Sequence, residues 1–174
     1  DLNVPIKDGE ILSKEKINSS LKTIKYISDL GGKVIILSHL GKIKEEKDKK
    51  KNSLFIVYKE MLKEFNNIYF SSSTHGPVLE EKIKNLNNGD ILLVENTRFE
   101  DLDNKKESSC NEELSKYWAS LGDIFINDAF GMTHRKHASN YGISKYLPSG
   151  IGFLIEKEII RLEPVINPKH PFVI

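Results

Sequence analysis

The sequence contains little cysteine, little arginine and no long hydrophobic run. Its single cysteine, Cys110, cannot form an internal disulfide, which is typical of proteins from a reducing compartment. No apolar run approaches the length of a membrane span, so we expect a cytoplasmic protein with no membrane partner. Of the 26 basic residues, only those at positions 98, 135 and 161 are arginines. Because lysine is the usual base of this chain, each arginine position is informative.

Charge and length also limit the class of protein. The 26 basic and 25 acidic residues nearly cancel, which argues against a nucleic-acid partner because such binders need a basic face. A chain of 174 residues that is 39% apolar can build one domain with a hydrophobic core. It begins at Asp1 and stops as an apolar run begins, so we expect part of a longer protein.

The hydrophobic pattern alternates between helical and strand periods. Helical spacing predicts five helices, at residues 17–30, 54–65, 79–86, 114–121 and 153–162. Short apolar runs predict four strands, at residues 34–37, 68–70, 91–94 and 124–126. This alternation predicts a doubly wound α/β fold, a Rossmann-like three-layer α/β/α arrangement with helices on both faces of a parallel sheet.

Three segments are predicted to lie outside these elements. Residues 43–52 are nearly all charged, and residues 100–113 are similar, so we expect two solvated loops. Cys110 would then be an incidental exposed thiol. Pro164 and Pro168 are expected to break the chain after the last helix.

Three predicted strands run directly into reactive polar residues. Strand 34–37 leads into 38–42, strand 91–94 into 95–99, and strand 124–126 into 127–139. Because the carboxyl ends of parallel strands meet at one edge, the cations of these segments are expected to converge. The cations are His39, Lys42, Arg98, His134, Arg135 and Lys136. Such a cleft on a near-neutral protein favours a small anionic ligand, such as a phosphate or a carboxylate.

Each of these residues also has a purely structural interpretation. Asp128 could cap a turn, and Asn96 could satisfy loop backbone. Three polar strand ends on one predicted edge favour the functional interpretation. A metal site is disfavoured because Arg135 and Lys136 separate His134 from His137. Since no glycine-rich phosphate loop is present, we expect no nucleotide site on this chain.

Five segments, in this order, resemble the phosphoglycerate kinase family. They are residues 1–5 (DLNVP), 38–41 (SHLG), 95–99 (ENTRF), 127–131 (NDAFG) and 134–139 (HRKHAS). The family transfers a phosphoryl group reversibly between 1,3-bisphosphoglycerate and ADP, giving 3-phosphoglycerate and ATP, with magnesium. The resemblance therefore implies a glycolytic phosphotransferase.

The resemblance also implies how the chain is divided. Residues 1–163 would be the N-terminal 3-phosphoglycerate-binding domain without its first strand. Residues 164–174 would be a linker and the start of a C-terminal nucleotide-binding domain, which would hold ATP or ADP and Mg²⁺. We expect the complete protein to be a monomer. The present chain alone should be poorly stable, because the missing strand normally lies in the middle of the sheet. It should also be inactive, because it lacks the nucleotide-binding domain.

The resemblance assigns roles residue by residue. Lys16 and Arg135 would be catalytic, His134 and His137 would support the site, and no residue would bind metal. Gly41 and Gly131 would let the backbone approach the ligand. The substrate-binding set would be Asp1, Leu2, Asn3, Lys16, His39, Leu40, Gly41, Lys42, Arg98 and Arg135.

Two positions depart from the family pattern. The chain has Lys16 and Lys42 where the pattern carries arginine, and lysine lacks the planar, bidentate guanidinium. Weakened catalysis is therefore expected. One alternative is a non-catalytic phosphate-binding module derived from this domain, and another is an unrelated doubly wound phospho-sugar enzyme.

Overall fold

A computed structural model of the protein describes residues 2–166. Asp1 and residues 167–174, which include Pro168, lie outside the described residues. The strands are β1 Ile6–Lys7, β2 Glu10–Ile11, β3 Val34–Ile36, β4 Ile68–Ser71, β5 Ile91–Val94, β6 Phe125–Asn127 and β7 Ser149–Ile151. The α-helices are α1 Glu15–Asp29, α2 Glu46–Lys51, α3 Phe55–Met61, α4 Pro77–Lys84, α5 Glu112–Ala119 and α6 Phe153–Ile166. A 3₁₀-helix covers Thr97–Leu102.

The main sheet has three parallel strands in the order β3-β5-β4. Ile36 pairs with Leu93, and Ser71 pairs with Val94, so all three strands end at the same edge. Every residue of β5 is buried because helices cover both faces of the sheet. The predicted doubly wound α/β class is therefore confirmed.

Alternate residues of β5 enter two hydrophobic cores. Ile91 and Leu93 pack with residues of α1 and α3 on one face. Leu92 and Val94 pack with residues of α4, and with Tyr117 and Leu121 near α5, on the other. The alternation follows from the two-residue period of a strand, and it explains why this strand is an unbroken apolar run.

The strand predicted at 124–126 belongs to a second sheet. β6 pairs in parallel with β7, a strand that the apolar pattern did not predict. Every residue of β7 is exposed, so burial left no periodic signal there. Phe125 and Leu37 pack against one hydrophobic cluster around Trp118, which joins the two sheets.

The five helices expected from periodicity are all present, and local chemistry explains their ends. Pro77 occupies the first turn of α4, where its missing N–H costs nothing. Asn111 caps α5, because its Oδ1 accepts a hydrogen bond from Leu114 N at 2.9 Å. Gly31, with φ of 83°, follows the end of α1.

The prediction of a loop over residues 43–52 was wrong, because α2 lies within it. Asp48 Oδ2 accepts hydrogen bonds from Lys44 N and Glu45 N, which forms a reciprocal cap. Lysines at 49–51 fall in the last turn, where positive charge favours a helix. No residue of α2 is buried, so hydrophobic periodicity could not reveal it.

Two further expectations were wrong. Residues 100–113 are not simply a solvated loop, because Glu100 and Glu107 are buried, and Cys110 is half-buried rather than exposed. The chain does not break at Pro164, because α6 continues through it to Ile166. The position lies in the last turn of the helix, where a missing backbone donor disturbs least. Over residues 2–166, no helix is long and apolar enough to cross a bilayer.

Candidate functional site

The segments that follow β3 and β5 meet at the carboxyl edge of the main sheet. Thr97 N donates a hydrogen bond to Ser38 O at 3.0 Å, which continues the pairing beyond the strands. His39 and Arg98, both predicted site residues, therefore lie on adjacent segments. Parallel topology brings the two segments to the same edge.

Asn96 holds these two segments together. Its Oδ1 accepts hydrogen bonds from Leu40 N at 3.1 Å and Arg98 N at 3.0 Å. Its Nδ2 donates to Leu40 O at 2.7 Å and Asn52 O at 2.8 Å. The structural interpretation of Asn96 is thus confirmed, and the role of this residue is to shape the loop after β3.

The N-terminal segment lies against the same loop. Leu2 N donates to Ser38 Oγ at 2.8 Å, and Asn3 Oδ1 accepts from Gly41 N at 2.9 Å. The side chains of Leu2 and Leu40 are buried in the core below, so only their backbone can face a ligand. Asn3 therefore sits at the loop that begins with His39.

Gly41 has a reason to be glycine that the sequence did not reveal. Its φ is 59°, and a Cβ atom at this position would collide with the Asn52 side chain. Asn52 is in turn held by Asn96. The close approach at Gly41 is thus made by another part of the chain.

Arg98 is the most distinctive cation of the edge. It is 7% exposed, its Nη1 donates to Gly41 O at 2.7 Å, and its buried Nε has no hydrogen-bond partner. Burial is the main factor that lowers the pKa of Arg98, and nearby Arg135 lowers it further. A buried guanidinium with an unused donor is a natural anion site.

His39 is uncharged at neutral pH. Burial lowers its pKa to about 3, and the nearby positive charges of Arg98, His137 and Lys16 contribute to this shift. Lys16, at the start of α1, is exposed, and partial burial lowers its pKa. These electrostatic influences show that the predicted cations lie close enough to act on one another.

The segment after β6 brings the remaining predicted cations. His134 and Arg135 are both exposed, and Arg135 Nε donates to His134 Nε2 at 3.2 Å. Asn140 fixes this loop, because its Oδ1 accepts from His137 N and its Nδ2 donates to Arg135 O at 3.0 Å. Exposed His134 thus orients Arg135, while His137 is buried below.

Glu107 is a buried residue of this region that the sequence analysis missed. It is 1% exposed and accepts hydrogen bonds from Ser139 N, Ser139 Oγ and Thr97 Oγ1. Its neighbours in sequence are charged and polar, so no periodicity distinguishes it from surface glutamates. Only the fold brings it to the His137–Ser139 segment.

Asp128, which directly follows β6, caps α6 and not the turn after the strand. Its Oδ1 accepts hydrogen bonds from Leu154 N at 2.9 Å and Ile155 N at 3.3 Å. The carboxylate therefore caps the first turn of α6, 26 residues further along the chain.

Two cavities lie near this edge. One of about 490 Å³ contains the predicted site residues Lys42 and Arg98. Its lining residues are Lys42, Ile43, Lys44, Arg98, Asp101, Leu102, Lys105 and Ser108. A larger cavity of about 780 Å³ beside His75 and Glu100 contains none of the predicted site residues. The smaller cavity is the better candidate for an anion site, because basic side chains outnumber acidic ones in its lining.

The predicted residues therefore assemble in part. The N-terminal segment, the loop after β3 and Arg98 are in direct contact. Lys16, His137 and Arg135 act on this group electrostatically. Asp1 lies outside the described residues. Within residues 2–166, no three His, Cys, Asp or Glu side chains form a group that could hold a metal ion.

Comparison with known proteins points to one family. A sequence model of the phosphoglycerate kinase family matches residues 1–174. A phosphoglycerate kinase of Staphylococcus epidermidis is 55% identical over 99% of this chain, and one of Staphylococcus aureus is 53% identical over all of it. The chain spans 44% of the length of these curated relatives.

Solved structures agree with this match. The structure of phosphoglycerate kinase from Coxiella burnetii superimposes with a TM-score of 0.84 at 36% identity, over 98% of this chain and 42% of that one. The enzyme from Pyrococcus horikoshii gives 0.83 at 33% identity, over 97% of this chain and 42% of that one.

Proposed function

We propose that this chain, which belongs to the phosphoglycerate kinase family, is the part of that enzyme that binds 3-phosphoglycerate. The complete protein would transfer a phosphoryl group between 1,3-bisphosphoglycerate and ADP. Residues 1–163 would form the substrate domain, and residues 164–174 would lead into the C-terminal nucleotide domain. This assignment describes a monomeric cytoplasmic enzyme that needs both domains.

The observation that carries the proposal is the state of Arg98. Its guanidinium is buried and its Nε donor is unused. The carboxylates of Asp101 and Glu107 raise its pKa, but among the described residues neither forms a direct ion pair with it. A buried guanidinium that no carboxylate contacts directly keeps part of its desolvation cost, and an anionic ligand would lower that cost. The substrate's phosphate would supply the missing charge and acceptor oxygens.

The surrounding cations suit a phosphate held at one end of a small molecule. Arg98 donates to Gly41 O in the loop after β3, while Arg135 and Lys42 are exposed. We assign the substrate phosphate to these three residues, with His39 as a neutral neighbour. His134 and His137 would support Arg135.

The other end of the substrate would lie toward the N-terminal segment. Asn3 already contacts the loop through Gly41 N, and Lys16 lies near His39. We assign the glycerate end to Asn3 together with Asp1, Leu2, Leu40 and Gly41, where the leucines offer only backbone groups.

This arrangement would promote transfer by charge and position. As an ADP oxygen bonds to the acyl-phosphate phosphorus, the bond to the carboxyl oxygen breaks and that oxygen leaves as a carboxylate. Lys16 and Arg135 would stabilise the negative charge on the moving phosphoryl group. We propose that magnesium and the nucleotide bind the C-terminal domain, as the family resemblance implies.

The separation of the two sheets supports the proposed domain organisation. β6 and β7 are not hydrogen-bonded to the main sheet, and Ile126 is exposed. We propose that the first strand of the complete domain, which would precede Asp1, pairs in this region. It would bury apolar surface and join both sheets.

Calorimetric titration of 3-phosphoglycerate into the complete enzyme tests this function. Arg135→Ala should weaken binding by about 10- to 100-fold, as expected for charge-assisted hydrogen bonds. Arg161→Ala is the matched control, because Arg161 is the chain's other exposed arginine and lies on α6. A folded enzyme that binds no substrate, or equal weakening by both variants, would refute the assignment.

A further inference from the structure

We propose that Glu107 is a positioning residue. It connects the loop after β6 that carries Arg135 to the segment after β5 that carries Arg98, so that both cations reach one phosphate group. This inference rests on the proposed function. Glu107 itself is too deeply buried to touch substrate and would act through its neighbours.

The first support is the hydrogen bonding of the Glu107 carboxylate. Oε2 accepts from Ser139 N at 3.0 Å, and Oε1 accepts from Ser139 Oγ at 2.5 Å. Oε1 also accepts from Thr97 Oγ1 at 3.3 Å. Ser139 lies four residues after Arg135, and Thr97 immediately precedes Arg98. One side chain is therefore bonded to both segments that carry the arginines.

The backbone of Glu107 strengthens this connection. Its carbonyl oxygen accepts a hydrogen bond from Ala138 N at 2.9 Å. The Ala138–Ser139 pair is consequently held by three bonds from a single residue. The other anchor of this loop, the buried side chain of Asn140, fixes the loop only to itself. Glu107 is the residue that ties it to the main sheet edge.

Charge provides the second support. Glu107 is among the groups that raise the pKa of Arg98 against the effect of burial, together with half-buried Asp101. His137 Nδ1 is buried without a hydrogen-bond partner and lies 3.7 Å from Glu107 Oε1. A fully buried carboxylate is costly unless it is hydrogen-bonded and near positive charge. Glu107 meets both conditions, and it does so directly beside the two segments that carry Arg98 and Arg135.

A purely structural role makes a different prediction from a positioning role. If Glu107 only stabilised the fold, its loss would affect substrate binding equally whether or not Arg135 is present. If it acts by placing Arg135, its loss should matter little once Arg135 has been removed. A double-mutant cycle separates these cases.

The test measures the dissociation constant of 3-phosphoglycerate for the complete enzyme. Glu107→Ala should weaken binding about tenfold in the wild-type background and less than about twofold in an Arg135→Ala background. Glu107→Gln should restore affinity to within about threefold of wild type, because its amide oxygen can accept from Ser139 N while its amide nitrogen donates to the hydroxyls of Ser139 and Thr97. Glu100→Ala is the control, since Glu100 is also buried but bonds Thr74 and His75.

The outcomes are distinguishable. Unchanged affinity in Glu107→Ala, with Arg135→Ala still weakened, overturns the role of Glu107 and leaves the proposed function intact. An equal effect in both backgrounds also overturns it. No binding by folded wild-type enzyme refutes the function and this inference together. If Glu107→Ala does not fold, Ser139→Ala decides: it should weaken binding about threefold only when Arg135 is present, and equal affinity overturns the proposal.

Discussion

Asn96 binds Leu40 through both polar groups of the Leu40 backbone. The amide oxygen of Asn96 accepts from Leu40 N at 3.1 Å, and its amide nitrogen donates to Leu40 O at 2.7 Å. The side chain is fully buried. This paired contact fixes the spacing between the segments that follow β3 and β5, and hence the position of His39 relative to Arg98.

Replacing Asn96 with alanine should lower the free energy of unfolding by about 3 kcal/mol, because several buried groups lose their partners. Chemical denaturation, followed through the fluorescence of Trp118, measures the change. Asn88→Ala, at an exposed position, should alter stability by less than about 0.5 kcal/mol. Similar stability of the two variants would contradict the importance of this contact.

Gly41→Ala should destabilise the domain by about 1–2 kcal/mol, because its φ of 59° and the adjacent Asn52 both oppose a side chain. Gly122→Ala is the matched control, since a Cβ there meets nothing within 4 Å. Denaturation midpoints compare the two. If Gly122→Ala is the more harmful substitution, our account of the loop is wrong.

Lys16→Arg in the complete enzyme should raise turnover several-fold, since a guanidinium can form paired hydrogen bonds with the transferring phosphoryl group and an ammonium cannot. Steady-state kinetics at saturating substrate measure kcat directly. Lys14→Arg, on an exposed residue paired with Glu60 at 2.6 Å, controls for the general effect of arginine. An unchanged kcat in Lys16→Arg would refute the role assigned to Lys16.

His39 should make stability depend on pH. Its pKa is about 3 in the folded domain, and it is about 6.5 when unfolded, so the unfolded chain binds the extra proton first on acidification. The stabilising effect of neutral His39 is fully present above about pH 6.5 and is lost as the pH falls toward 3.

Between pH 7.5 and 5.5 the loss should be about 1 kcal/mol, measured by denaturation at both values. His39→Gln should remove this part of the pH dependence. The control is His75→Gln, because the side chain of His75 is 64% exposed. This variant should retain the pH dependence of the wild type. Identical pH profiles for wild type and His39→Gln would show that His39 does not titrate as we infer.

Sequence patterns predicted most of the main sheet because burial repeats there with a regular period. The apolar stripe that begins at Ile17 lies in α1 up to Ile27, and the run from Ile91 to Val94 forms β5. The same reasoning failed for α2 and β7, whose residues are exposed and carry no hydrophobic period. Parallel topology predicted that the segments carrying His39 and Arg98 converge, whereas the Asn96 contacts that set their spacing were visible only in the structure.

The sequence by itself determined the α/β class, the family and the basic character of the strand ends. These follow from periodicity and from motifs that are local in the chain. Only the tertiary structure decided which charged groups are buried, since Glu107 and an exposed glutamate look alike in sequence. Burial of Arg98, His39 and Glu107 depends on contacts between segments far apart in the chain, and the loss of solvent at those contacts lowers the pKa of Arg98 and of His39.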